Sequence, residues 1–291
     1  MLHTIRNSHM SVTVSQQGAE LQSILGTDGT EYLWQGDAKY WADRAINIFP
    51  YVARLVEGSY YLDGEKHQMS IHGIAPYRRF ALTHITETEM VFTLDADTDS
   101  WKEYPRDFRF SIGYRLFGDT LEVTFEVENQ DEKTMYFGLG GHPGFNVPMD
   151  PGKTFSDYRI RFGTTSTPFR VGFSSDCFVN GTSPYQLENG TDIPLSHGLF
   201  DEDAIVLGDI PHSVTLDTSG GHGVTVTYPG MQYLGLWHMP KTDAPYVCIE
   251  PWCSLPSQEG TIAVFEEQED LIRLPADEIY RNVWTIQIHT P

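Results

Sequence analysis

The sequence predicts an all-β fold. Three observations carry that prediction. Apolar and polar residues alternate with a period of two along many short runs, as strands with one buried face require. Gly and Asp residues punctuate those runs at hairpin spacing. No segment sustains a 3.6-residue apolar period between helix caps. Many short strands parted by turn residues assemble as a sandwich or barrel, and 291 residues require large sheets. No internal repeat, low-complexity tract or linker interrupts the chain, which predicts a single domain over residues 1–291.

The elements follow in order. Ser11 to Ser15 alternates cleanly, and Tyr60-Tyr61-Leu62 before Asp63-Gly64 is a hairpin signal. Phe80 to Ile85 and Met90 to Leu94 read as a pair of strands by pattern, and Trp101 to Arg106 holds at most one short helical turn. Phe108 to Phe117 is strand-like and joins the next strand through Gly118-Asp119. From Thr120 to Glu128, Leu121, Val123, Phe125 and Val127 share one face, opposite Glu122, Thr124, Glu126 and Glu128. That is a half-buried antiparallel strand. Tyr136 to Phe145 reads as an apolar approach into a glycine-dense turn carrying His142. Pro148 to Lys153 and Gly163 to Pro168 read as ordered loops. Later strands are expected at 158–162, 204–207, 213–216, 224–228, 233–237, 246–250 and 283–288.

Composition narrows the function. The formal net charge of -21 argues against nucleic acid and against anionic membrane surfaces, both of which select basic footprints. The three cysteines, Cys177, Cys248 and Cys253, are no disulfide framework, although a Cys248–Cys253 pairing stays open at this point. The N-terminus lacks an apolar core of signal-peptide length, and no run approaches a membrane span. A cytoplasmic protein is the expectation.

Few groups are equipped for chemistry. Histidine exchanges protons near neutral pH, and His142 is held beside Pro143 among glycines. Glu250 closes an apolar strand and is pinned by Pro251, with Trp252 beside it. Burial there raises a carboxyl pKa and makes it a usable base. A flat indole suits a sugar ring. The plainer reading of Glu250 is an ion pair at a sheet edge. Arg54 ends an apolar run, His72 precedes a glycine, and Asp203 closes a three-acid cluster. Each of these also has a purely structural reading. None of the 11 histidines forms an HxH or HxxxH pair, His67 and His72 point to opposite faces of a strand, and there is no CxxC. A metal site is therefore not expected. Nor is a nucleotide-binding glycine loop or a GxSxG nucleophile present. No cofactor is expected.

The order Asn47, Pro50, Arg54, then His72-Gly73, then Gly140-Gly141-His142-Pro143-Gly144-Phe145, then Ile249-Glu250-Pro251-Trp252 resembles the aldose 1-epimerase (galactose mutarotase-like) family, closest to its LacX-type branch. The resemblance spans Trp34 to the C-terminal strand. It implies a β-supersandwich of large antiparallel sheets and interconversion of the α and β anomers of a small-molecule sugar. It further implies Glu250 as general base and His142 as general acid, with Arg54, His72 and Asp203 binding the sugar and Trp237 lining the site. Two positions depart from the branch: Pro76 stands where an arginine is usual, with Arg78 or Arg79 expected to supply its charge, and Ala53 stands for a glycine. The alternatives are a non-catalytic carbohydrate-binding protein and a hexose-6-phosphate mutarotase. A glycosidase would need a second carboxylate flanking the bond.

Overall fold

Two large antiparallel sheets carry the architecture in a computed structural model that describes residues 1–291. The larger runs Asp192–Pro194, Arg159–Phe162, Ser213–Asp217, Gly223–Thr227, Ile279–His289, Thr120–Asn129, Phe108–Phe117, Glu89–Asp95, Ala81–Ile85. The second runs Val179–Pro184, Phe169–Phe173, Ile205–Gly208, Tyr233–Trp237, Tyr246–Trp252, Gly140–Asn146, Ala45–Ile48. Three small sheets flank them, one built from Leu2–Arg6, Met10–Ser15 and Leu21–Gly26. The only helical turn of α type is Ser100–Glu103. The all-β expectation and its large antiparallel sheets are met.

The hairpin 108–129 has the predicted register, with Thr120 opposite Phe117 and the Leu121, Val123, Phe125, Val127 face fully buried. That face packs with Phe145, Val247, Ile249 and Leu234 of the second sheet in one apolar cluster reaching from Ile5 to Ile288. Two adjacent inner strands of the second sheet, Gly140–Asn146 and Tyr246–Trp252, are buried on both faces apart from half-buried Asn146. A strand covered on both sides has no reason to alternate. Val247 and Ile249 enter the common core, while Tyr246, Cys248, Glu250 and Trp252 share the opposite face.

Two expectations are corrected. The glycine-rich stretch is not a turn: Gly140–Asn146 is a strand of the sheet, paired between Tyr246–Trp252 and the edge strand Ala45–Ile48. Its glycines serve space, not positive φ. A Cβ at Gly140 would lie 2.8 Å from Trp252 Cδ1, and one at Gly141 would lie 2.7 Å from the Trp284 ring of the facing sheet. His67 and His72 are also not two faces of one strand. The strand ends at Gln68, and His72 lies beyond it with φ of 62°.

A histidine clamp ties three remote segments together. His222 Nδ1 lies 2.6 Å from Asp150 and Nε2 lies 2.7 Å from Asp28. Burial disfavours the imidazolium, but the hydrogen bonds and charges of Asp150 and Asp28 outweigh it and raise the His222 pKa. Asp28 is held below the usual carboxylate range by the Thr30 N–H and by His222. Burial pushes Asp150 up, yet Tyr158 and His222 bring it down overall.

The sign of the pH dependence follows from these directions. The histidine's contribution is complete below its ordinary value of about 6.5 and is lost as pH rises through the higher folded value. The carboxylates' contribution is lost as pH falls below about 4. His222→Gln should therefore lower Tm by roughly 2–4 °C at pH 6, a shift typical of one modest interaction in a larger chain, and by much less at pH 9. Thermal unfolding of both proteins at the two pH values checks this; an equal loss at both would refute the clamp.

Candidate active site

Glu250 and Trp252, on the face of the second sheet that also carries Tyr246 and Cys248, form the floor of a cleft of about 430 Å³. His142 and Glu250 meet there. The strand pairing Gly140↔Trp252 resumes at Gly144↔Cys248, so His142 stands across from Glu250 in a gap of the ladder. Each strand carries a proline in that gap, Pro143 and Pro251, with no N–H to donate. On their outer sides both residues are paired, His142 with Ile46 and Glu250 with Gly235. The side chains are thus fixed from both sides while facing each other.

His142 Nε2 lies 3.2 Å from Glu250 Oε2. Both side chains are buried, with 9% and 2% of their surface exposed. Burial pushes Glu250 well above the usual carboxylate range, with the Asp203 carboxylate adding to it and the Trp252 indole opposing it. Burial also pushes His142 well below the usual histidine value, helped by His72. At this separation the pair is cheapest with one shared proton, because that keeps the site neutral while either group can carry it.

His72 stands edge-on to His142 with ring centroids 5.4 Å apart. Its Nδ1 accepts the Ala53 N–H at 3.3 Å. The proton of the neutral ring therefore sits on Nε2. Burial, then the Arg54 charge, lowers the His72 pKa to about 4. The turn that presents it needs Gly73 at φ 80°, where a Cβ would fall 2.2 Å from Phe49 O. Ala53 also has positive φ, 54°, which accounts for the glycine expected at that position.

The other expected residues reach the same cleft. Arg54, Asp203 and Trp237 all line it. Of the acids 201–203 only Asp203 does so; its carboxylate accepts the Ala204 N–H at 2.8 Å and the Cys177 S–H at 2.9 Å. Arg78 and Arg79 do not supply the missing cation. Arg78 is paired with Glu103 at 2.9 Å and Arg79 donates to Gln16 at 2.8 Å, and neither lines the cleft. Cys248 and Cys253 are both free and buried, Cys253 in the common core and Cys248 on the cleft side.

Several lining residues escaped the sequence reading. Trp41 lies over His142 with centroids 4.8 Å apart and meets Trp237 edge-on at 5.8 Å. Asp43, Tyr77 and Met239 also border the cleft. Trp41 stands beside Tyr40 in the mixed run Gln35 to Asp43, where no period marks it as inward. Tyr77 and Met239 lie in a short turn and a strand exit with no pattern to mark them.

The model of the aldose 1-epimerase family matches residues 1–287. The plasmid-borne protein LacX of Lactococcus lactis subsp. lactis is 30% identical over 286 residues, covering 94% of this chain and 95% of that one. A solved galactose mutarotase related enzyme from Lactobacillus acidophilus superposes with a TM-score of 0.94 at 30% identity, over 100% of this chain and 98% of that one. A galactose mutarotase-like protein from Lactobacillus casei ATCC 334 gives 0.92 at 28% identity, over 99% and 100%.

The contrasting histidine environments are directly measurable. Long-range ¹H–¹⁵N spectra at pH 6 should show His72 neutral with its proton on Nε2, and His222 protonated on both nitrogens. A doubly protonated His72 at pH 6 would contradict the burial argument.

Proposed function

The chain belongs to the aldose 1-epimerase family, and on that premise we propose that it interconverts the anomers of a neutral, unphosphorylated aldose. The observation that carries the reading is the 3.2 Å approach of His142 Nε2 to Glu250 on the cleft floor. The two oxygens that exchange a proton in mutarotation, O1 and the ring oxygen, are bonded to the same carbon. An acid and a base that serve both must be close neighbours. A glycosidase instead holds two carboxylates about 5–10 Å apart across the scissile bond.

In this mechanism the reactive form has the shared proton on His142. Glu250 takes the proton of the C1 hydroxyl, and the electrons of that O–H bond form the C1 carbonyl. The bond from C1 to the ring oxygen breaks, and His142 protonates that oxygen. The net transfer is one proton from O1 to the ring oxygen. Rotation about C1–C2 turns the other carbonyl face inward, and the reverse steps close the ring as the other anomer. The neutral His72 donates from Nε2 to a sugar oxygen. Arg54, which forms no ion pair, and Asp203 hold further hydroxyls. Trp41, Trp237 and Trp252 offer flat apolar walls for the C–H faces of the ring.

The preference for a neutral sugar rests on charge. Asp43 and Asp203 line the cleft against a single permanent cation, Arg54, and the His142–Glu250 pair adds no net charge. A phosphate dianion would meet net repulsion there. A binding protein without turnover would have no use for a buried acid–base pair, which costs desolvation and adds little to hydroxyl recognition.

NMR exchange spectroscopy across free and 6-phosphorylated aldoses tests the reading. Exchange should accelerate for at least one neutral aldose and be much weaker for its 6-phosphate. Glu250→Gln should abolish it with sugar binding still measurable, and His142→Asn should slow it about 100-fold or more. Full activity in Glu250→Gln would remove the assigned base. Binding without accelerated exchange in the wild type would favour the carbohydrate-binding reading.

A further inference from the structure

Cys248 is a buried thiol that anomer exchange does not use, two residues before Glu250 on the same strand face. One ligand atom each from His142, Cys248 and Glu250 lies within 4.8 Å of the others. The closest two are already 3.2 Å apart. Donors sharing a tetrahedral Zn²⁺ stand about 3.3–3.8 Å from one another, given metal–ligand bonds near 2.0–2.3 Å. The three groups therefore need only small rotamer adjustments to converge. His142 Nδ1 is buried with no hydrogen-bond partner, so no hydrogen bond at that nitrogen opposes such a turn.

We propose that His142, Cys248 and Glu250 form a three-ligand site for a borderline-soft divalent cation of the Zn²⁺ class, and that its occupancy switches off the acid–base pair. Thiolate, imidazole and carboxylate together select zinc-like ions over magnesium or calcium, which prefer all-oxygen shells. Three protein ligands leave the fourth position facing the cleft, for water or a sugar hydroxyl. Binding sends the thiol proton and the proton shared by the histidine and glutamate to solvent, and no electron is transferred. With both groups bound to the ion, neither can accept or give a proton. The cation thus competes with turnover from the floor of the cleft upward. The sequence concealed the site because its donors come from neighbouring strands, with only the Cys-x-Glu spacing of period two visible.

Cobalt(II) is the probe for binding. Added to the purified protein, it should give thiolate-to-cobalt charge-transfer absorption in the near ultraviolet. The band should persist in Cys177→Ser, vanish in both Cys248→Ser and Cys248→Ala, and disappear when Zn²⁺ displaces the cobalt. Loss of a ligand in Glu250→Gln should weaken affinity by roughly 10- to 100-fold or more. No band in the wild type, or a band retained in both Cys248 variants, overturns the site. The inhibition half rests on the acid–base reading above, and the binding half does not. In exchange spectroscopy, Zn²⁺ should suppress anomer exchange and a chelator should restore it. The residual exchange of Cys248→Ser, whatever its level, should tolerate roughly tenfold more Zn²⁺. Undiminished exchange in zinc-loaded wild type overturns the inhibition. Absence of exchange even without metal refutes the proposed function and leaves the cobalt result standing.

Discussion

A buried ionisable group must find a partner or give up its charge, and His142 and Glu250 meet that demand with each other. Isolated in the sheet, each would lose several kcal/mol of hydration. Facing across 3.2 Å, they hold one proton between them and remain neutral as a unit. The surrounding structure is arranged around that contact. Two prolines open the ladder where the side chains meet, and flanking strands at Ile46 and Gly235 close it again on either side. The groups are consequently held by main chain that is paired to a neighbouring strand on either side.

Space for the aromatic rings is the second requirement. Trp252 lies against Gly140 and Trp284 fills the room left by Gly141. At Gly144 a Cβ would come within 3.2 Å of both Trp34 and Trp41, and at Gly235 within 3.2 Å of Trp252. The glycines lower the sheet surface and the indoles fill it. The same exchange of volume seats the core-facing ring of Trp284 and the cleft-facing ring of Trp252.

This bears on how far the amino-acid sequence could be read. The half-exposed strands were legible, because Thr120 to Glu128 alternates only when one face meets water. The doubly covered strand at Gly140 was not. Burial on both faces erases alternation, and its glycines imitate a turn. The motifs around His142 and Glu250 were legible because each sets a proton-exchanging group beside a proline in an otherwise apolar or glycine-rich run. The resemblance pointed to Asp203 within its acidic cluster, and the structure separates it from its neighbours: it has a positive φ of 78° and alone of the three lines the cleft. Trp41, Asp43 and Tyr77 stand on loops, where no period marks a side chain as inward. The misplaced arginines show the same limit: charge at Arg78 and Arg79 was visible, but their partners Glu103 and Gln16 lie far off in sequence.

The chemistry-bearing pair stands on strands, whereas Trp41, Asp43, Arg54, Tyr77, Cys177, Asp203 and Met239 stand on loops and turns. Under the proposed function, changes in those loops would alter which hydroxyl pattern fits without disturbing the alignment of His142 and Glu250. Changes in the strands cannot, because each glycine there is matched to an indole. The scaffold is thereby modular in an evolutionary sense: selectivity is free to drift along the rim, while the floor can change only by concerted substitution.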